Sequence, residues 1–121
     1  MTRKFVKSAL PTMVESIDSS DKGATVVVRK AAELPGRQLR LLGGRRNWIV
    51  WSYWTFTAKD EVALAKLLEA LRDLGVVFLG AGPPGWTPGE VFEDLRKRQL
   101  VHGTFRSITW RGPGAWEIEE A

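Results

Sequence analysis

Between Thr57 and Gly75 the chain carries Leu64, Leu67, Leu68, Leu71 and Leu74, a stripe of leucines at three- and four-residue spacing. Only an α-helix puts such a set on one face, and Lys59, Lys66, Glu69 and Asp73 fall elsewhere on the wheel. A one-sided apolar helix must bury its stripe against another layer, so the rest of the chain has to supply that layer. Thr57-x-x-Asp60 reads as a capping box at the start of this helix, and Gly75 as its left-handed stop.

The covering layer is a sheet. Thr25 to Val28 is β-branched, Leu34-Pro35-Gly36 is turn chemistry, and Gln38 to Leu42 alternates polar with apolar, which together predict a hairpin. Gly43-Gly44 then turns the chain into Asn47 to Phe56, the strongest strand signal present. After the leucine helix, Val76 to Leu79 reads as a short buried strand. Thr87-Pro88-Gly89-Glu90 is a second helix cap, and its helix should run to about Gln99. Thr104 to Trp110 and Ala115 to Glu119 form a last hairpin around Gly112-Pro113-Gly114, with Trp110 and Trp116 at matching distances as a cross-strand clasp. The expected fold is α+β: one small domain over 1–121, a mainly antiparallel sheet of five to six strands, and two helices packed on one face. Residues 1–22 carry the weakest pattern. Phe5, Val6 and Leu10 suit a strand or a short helix, Pro11 interrupts either, and Ser16 to Lys22 reads as a mobile polar loop in a flexible N-terminal segment.

Several chemistries are excluded by residue counts. The chain has 121 residues, no cysteine and one histidine, His102, so a disulfide scaffold, an iron–sulfur cluster, a cysteine nucleophile and a histidine-rich zinc site all lack their ligands. No metal or cofactor is expected. Gly80-Ala-Gly-Pro-Pro-Gly85 fits G-x-G-x-x-G between a predicted strand and helix. Pro83 and Pro84, however, remove N–H groups that a phosphate would need. No βαβ unit is expected around the loop, and no acidic residue follows at about 20 positions, so it reads as a rigid connection with Trp86 plugging the helix pair. No serine stands in a nucleophile motif, and His102 lacks a positioned partner, which makes it a surface residue. Glu90, Glu93 and Asp94 at a helix start, and Arg96-Lys97-Arg98 at its end, are explained by the helix dipole. Glu117, Glu119 and Glu120 read as an acidic tail.

Charge is unevenly placed. Net charge is +4 and the pI about 9.8, but residues 1–57 carry +6 and residues 58–121 carry −2. Within the basic half, Arg37, Arg40, Arg45 and Arg46 flank a predicted strand that holds Trp48, Trp51, Tyr53 and Trp54. Arginine beside aromatic rings is the composition of a single-stranded nucleic-acid platform, in which cations neutralise phosphate and rings stack on bases. Strand alternation separates Trp48, Val50, Trp54 and Phe56 from Ile49, Trp51, Tyr53 and Thr55, and the Trp51–Tyr53 side is the more water-tolerant candidate for an open face. The structural alternative is a central strand buried on both sides with arginines protecting a sheet edge.

The favoured reading is therefore a non-catalytic nucleic-acid binder that contacts phosphate through Arg37, Arg40, Arg45 and Arg46 and stacks bases on Trp51 and Tyr53. The alternative is a protein–protein interaction module, such as a small inhibitor, immunity or phage-type accessory protein, because Trp and Arg dominate interface hot spots. A winged-helix reader would need a third helix, and an enzyme would need a convergent nucleophile, base or metal set. Self-association is compatible with either binding reading. The basic start Met1 to Leu10 meets Pro11 and polar residues where a secretory apolar core would run, and no stretch approaches the roughly 20 apolar residues of a membrane span, so a cytoplasmic protein without a membrane partner is expected.

Overall fold

The computed structural model describes residues 3–6 (backbone only), 10–80, 87–113 and 115–120. The strands are β1 (Arg3–Val6), β2 (Met13–Ser20), β3 (Gly23–Arg29), β4 (Arg45–Arg46), β5 (Tyr53–Ala58), β6 (Val77–Leu79), β7 (Arg106–Gly112) and β8 (Ala115–Glu120). The helices are α1 (Gly36–Leu41), α2 (Glu61–Asp73) and α3 (Pro88–Lys97). All strands join one sheet in the order β1-β8-β7-β6-β2-β3-β5-β4. The fold is α+β as expected, but the described residues form eight strands rather than five to six, and three helices rather than two. The sheet is mixed rather than mainly antiparallel at its centre, where β6 runs parallel to both β2 and β7. That direction follows from connectivity: a helix between two neighbouring strands carries the chain back over the sheet, so β6–α3–β7 is a parallel βαβ unit. The expectation that no βαβ unit surrounds the Gly80 loop is thereby corrected. Residues 81–86, including Trp86 and its plug role, lie outside the described residues.

The leucine stripe does what its spacing requires. Leu64, Leu68 and Leu71 are buried in one cluster with Val14, Val26, Val28, Trp54 and Phe56 from the sheet. Leu39 of α1 and Phe92 and Leu95 of α3 join the same cluster, so all three helices cover one face. Phe78, Phe92 and Phe105 meet through ring contacts at centroid distances of 4.6–5.7 Å. On the opposite face a smaller cluster holds Met13, Val77, Ile108 and Ile118, against which Leu10, Leu79 and Trp116 pack. Trp110 stands opposite Trp116 in the β7–β8 register, where the clasp was expected.

Four local expectations are corrected. Ser16 to Ser20 is not a mobile loop but part of β2, between β3 and β6, because Met13, Val14 and Ile17 are buried while the polar residues sit at the exposed strand end. Upstream, Phe5 and Val6 lie in β1, the strand alternative of the two their pattern allowed, paired antiparallel with β8. Gln38 to Leu42 is mostly helix rather than strand: only Leu39 is buried, while Leu41 is 77% exposed, so the alternation did not mark two sheet faces. Thr57 belongs to β5, and the N-cap of α2 is Asp60, whose carboxylate accepts from the Ala63 N–H at 2.8 Å. Glu117 to Glu120 is strand β8 rather than a tail, with Glu117 buried.

Thr87 forms the expected capping box with Glu90. Gln99, where α3 was expected to end, adopts φ 64° just past the helix. At the other end of the sheet, buried Thr12 donates its N–H to Glu33 at 2.6 Å and accepts from the Ala31 N–H at 2.9 Å. Burial pushes the Glu33 carboxyl up, but the hydrogen bonds from Thr12 outweigh it and hold its pKa below the ordinary value.

Two outcomes follow for stability. Leu68→Ala should lose about 2–5 kcal/mol in denaturant unfolding, since a fully buried leucine leaves a cavity. Glu33 has a depressed folded-state pKa, so its contribution is present above the unfolded-state value and fades as pH falls through the folded one. Glu33→Gln should therefore lower stability at neutral pH and flatten the acid limb of the stability–pH profile, read by thermal unfolding across pH.

Candidate functional site

The predicted strand Asn47 to Phe56 breaks at Tyr53. Trp54, Phe56 and Ala58 are buried on alternate positions of β5, but residues 47–52 leave the sheet as the β4–β5 loop. The local chemistry explains the break. The Asn47 side-chain oxygen accepts from the N–H groups of Ile49 at 2.8 Å and Val50 at 3.0 Å, which turns the chain where a strand would keep it extended. Backbone bonds from Asn47 N–H to Tyr53 O (2.8 Å), Tyr53 N–H to Val50 O (3.0 Å) and Lys30 N–H to Ser52 O (2.6 Å) fasten the loop to the sheet.

The loop exposes its apolar side chains. Trp48 is 81% exposed, Ile49 92%, Val50 41% and Trp51 65%. Four adjacent large apolar residues exposed together are unusual in a monomeric protein, and such a patch makes the loop the candidate contact surface. The Trp51 indole N–H donates to the backbone carbonyl of Trp48 at 3.0 Å, which ties the Trp51 ring to the loop backbone. The Arg46 guanidinium lies over both, 5.2 Å from the Trp51 ring centre and 6.0 Å from that of Trp48.

The expected site residues are partly brought together. Arg46 and Trp51 are in direct contact. Arg45 pairs with Thr55 and so leaves the sheet on the face of Tyr53, away from the helices. Arg37 and Arg40 are exposed on α1, and the Arg40 guanidinium sits 5.8 Å from the ring centre of Trp54. Tyr53 does not share a strand face with Trp51, as the alternation implied, because Trp51 is in the loop. Tyr53 instead lies beside Glu15, whose carboxylate raises its phenol pKa, and Arg29 partly offsets this. Trp48, Ile49 and Val50 were not expected in the site. Asn47, a turn residue after two arginines, is the signal that marks their loop.

No residue from 34 to 59 is acidic. Among the described residues Arg37, Arg40, Arg45 and Arg46 make no salt bridge to a carboxylate. The other basic cluster is occupied: Arg96 pairs with Glu93, and Arg98 bonds Glu61 at 2.7 Å and Asp94 at 3.0 Å. His102 is exposed, and its backbone N–H donates to Glu69 at 3.0 Å. At the start of α3 the Glu90 carboxylate lies 3.0 Å from the Thr87 hydroxyl, which puts a negative charge where a bound phosphate would sit. Among the described residues no cluster of three or more histidine or acidic side chains is placed to hold a metal ion, and no helix is long and apolar enough to cross a membrane.

Compared with known proteins, the chain matches no family model, no curated protein and no solved structure.

Trp54 provides the contrast to the loop. It is 2% exposed, and its indole N–H has no hydrogen-bond partner among the described residues. Trp54→Ala should lose about 3–5 kcal/mol, whereas Trp51→Ala and Ile49→Ser should stay within about 0.5 kcal/mol of the parent in denaturant unfolding. Comparable losses at all three positions would place the loop in the core.

Proposed function

We propose that this chain is a non-catalytic binding protein whose contact surface is the 47–52 loop with its surrounding arginines, and that single-stranded nucleic acid is its partner. The observation that carries this reading is the Arg46 guanidinium held over two exposed tryptophan rings. Exposed rings offer faces for base stacking, and arginine offers charge to phosphate. Arg37, Arg40 and Arg45 extend that charge around the loop and make no salt bridge to a carboxylate among the described residues, which supports a polyanionic partner. Tyr53 is a secondary contact on the outer sheet face, next to Arg45.

One observation favours a protein partner instead. Ile49 is the most exposed of the loop's apolar side chains and has neither charge nor ring to offer a nucleotide, whereas an apolar pocket on another protein would take it.

Titration of fluorescent mixed-sequence oligonucleotides at rising salt separates the contributions. Arg45→Ala should weaken binding to all sequences and lower the salt slope by about 0.7, while Trp51→Ala should cost about 1–3 kcal/mol of affinity and leave the slope unchanged. Ile49→Ser should leave oligonucleotide affinity intact. No oligonucleotide binding at low salt would end the nucleic-acid reading and leave the protein-partner one.

A further inference from the structure

The two ends of the β3–β5 ladder carry opposite charge. At one end Arg29 stands opposite Tyr53, and there the basic, apolar loop leaves the sheet. At the other end Ala24 stands opposite Ala58, and there a cleft of about 830 Å³ opens between the β2–β3 turn, the start of α2 and helix α3. Its floor is apolar, with Ile17, Leu64 and Leu95 buried and Val91 half-buried. Its rim carries Asp18, Asp21, Asp60, Glu61 and Asp94. Lys59 and Arg98 are the cations that line it, and Arg98 is already engaged by Glu61 and Asp94. Asp18 and Asp21 are exposed and make no salt bridge among the described residues.

We propose that the 47–52 loop of one copy docks in this cleft on a second copy. Loop and cleft are complementary in both respects that matter. The loop is an apolar tip, Trp48 to Trp51, with Arg45 and Arg46 at its base; the cleft is an apolar floor with a carboxylate rim. Docking removes the exposed side chains from water and brings Arg45 and Arg46 to Asp18 and Asp21, none of which makes a salt bridge among the described residues. A cleft of this volume is in the range that encloses several side chains. The contact cannot form within one chain, because Tyr53 to Ala58 alone spans roughly 17 Å at about 3.3 Å per strand residue and the loop leaves from the far end. The two surfaces differ, so each copy has one of each. Two copies either exchange loops as a closed pair or add head to tail.

This inference rests on the loop being the contact surface, as in the preceding reading, and adds a second copy as an occupant that nucleic acid would displace. Analytical ultracentrifugation of the full chain at low salt should show the average mass rising above 13.6 kDa with concentration and falling back as salt is added. Ile49→Asp spoils the loop and leaves the cleft; the double substitution Asp18→Lys with Asp21→Lys spoils the cleft and leaves the loop. All three positions are exposed, so each variant should keep the parent's circular dichroism and melting curve, and Trp51→Ala serves as a second loop variant. Each variant alone should sediment as a monomer, and an equal mixture should form a one-to-one complex through its single intact loop and single intact cleft. A parent that stays at 13.6 kDa at every concentration overturns the proposal. So does self-association that survives in both variants, or a mixture that fails to pair. Oligonucleotide binding is read separately: binding without self-association sinks only this inference, and self-association without binding sinks only the nucleic-acid reading.

Discussion

Burial of Trp54 and Phe56 under the helices sets the geometry on which the rest depends. Both side chains are fully enclosed, paired across the ladder with Val28 and Val26, and covered by Leu39 and the α2 leucines. Their position fixes the parity of β5, so Tyr53 and Thr55 must face away from the helices. It also fixes what precedes the strand. A β-carbon at Gly44 would lie 2.6 Å from the Phe56 ring and one at Gly36 would lie 2.9 Å from the Trp54 ring, so α1 and its exit approach β5 closely only because both positions are glycine. With α1 anchored there, β4 is held to two residues and the chain between it and β5 has no core to enter.

Charge follows the same architecture. The basic residues of 36–46 lie on α1 and β4 at one end of the β3–β5 ladder, and Asp18, Asp21, Asp60, Glu61 and Asp94 gather at the other. At the acidic end Arg98 engages Glu61 and Asp94, while Asp18 and Asp21 make no salt bridge among the described residues, nor do Arg37, Arg40, Arg45 and Arg46 at the basic end. Separated charge of this kind leaves an electrostatic field outside the protein, which steers encounters with partners and orients them. It does little for fold stability, since exposed charges are screened by water and salt.

Much of the fold was legible in the sequence. The leucine stripe of α2, the capping box of α3, strand β3 and the β7–β8 hairpin appear where periodicity and turn residues placed them. Each is specified by neighbours within a few positions. The failures share one cause. Gln38 to Leu42 alternates like a strand, Ser16 to Ser20 is polar like a loop, and Asn47 to Ser52 is aromatic and β-branched like a strand. In each case the local pattern was overridden by what the segment packs against, or by having nothing to pack against. The candidate site was legible in the same measure. Arg46 and Trp51 meet, but Tyr53 is directed to another face, and Trp48, Ile49 and Val50 are exposed because β5 begins only at Tyr53.

The sequence by itself determined that this is an α+β chain with an amphipathic helix needing a sheet, that thiolate and imidazole chemistry lack ligands, and that an uninterrupted basic, aromatic segment runs from 34 to 59. These are properties of composition and short-range spacing, and no packing can change them. Tertiary structure alone decided the strand order, the parallel direction of β6, and which tryptophan is core and which is surface. Trp51 and Trp54 stand three residues apart in nearly the same local sequence. One is enclosed and the other exposed because Trp54 lies over the helix-covered face, while Trp51 lies beyond the last residue at which the sheet can bury it.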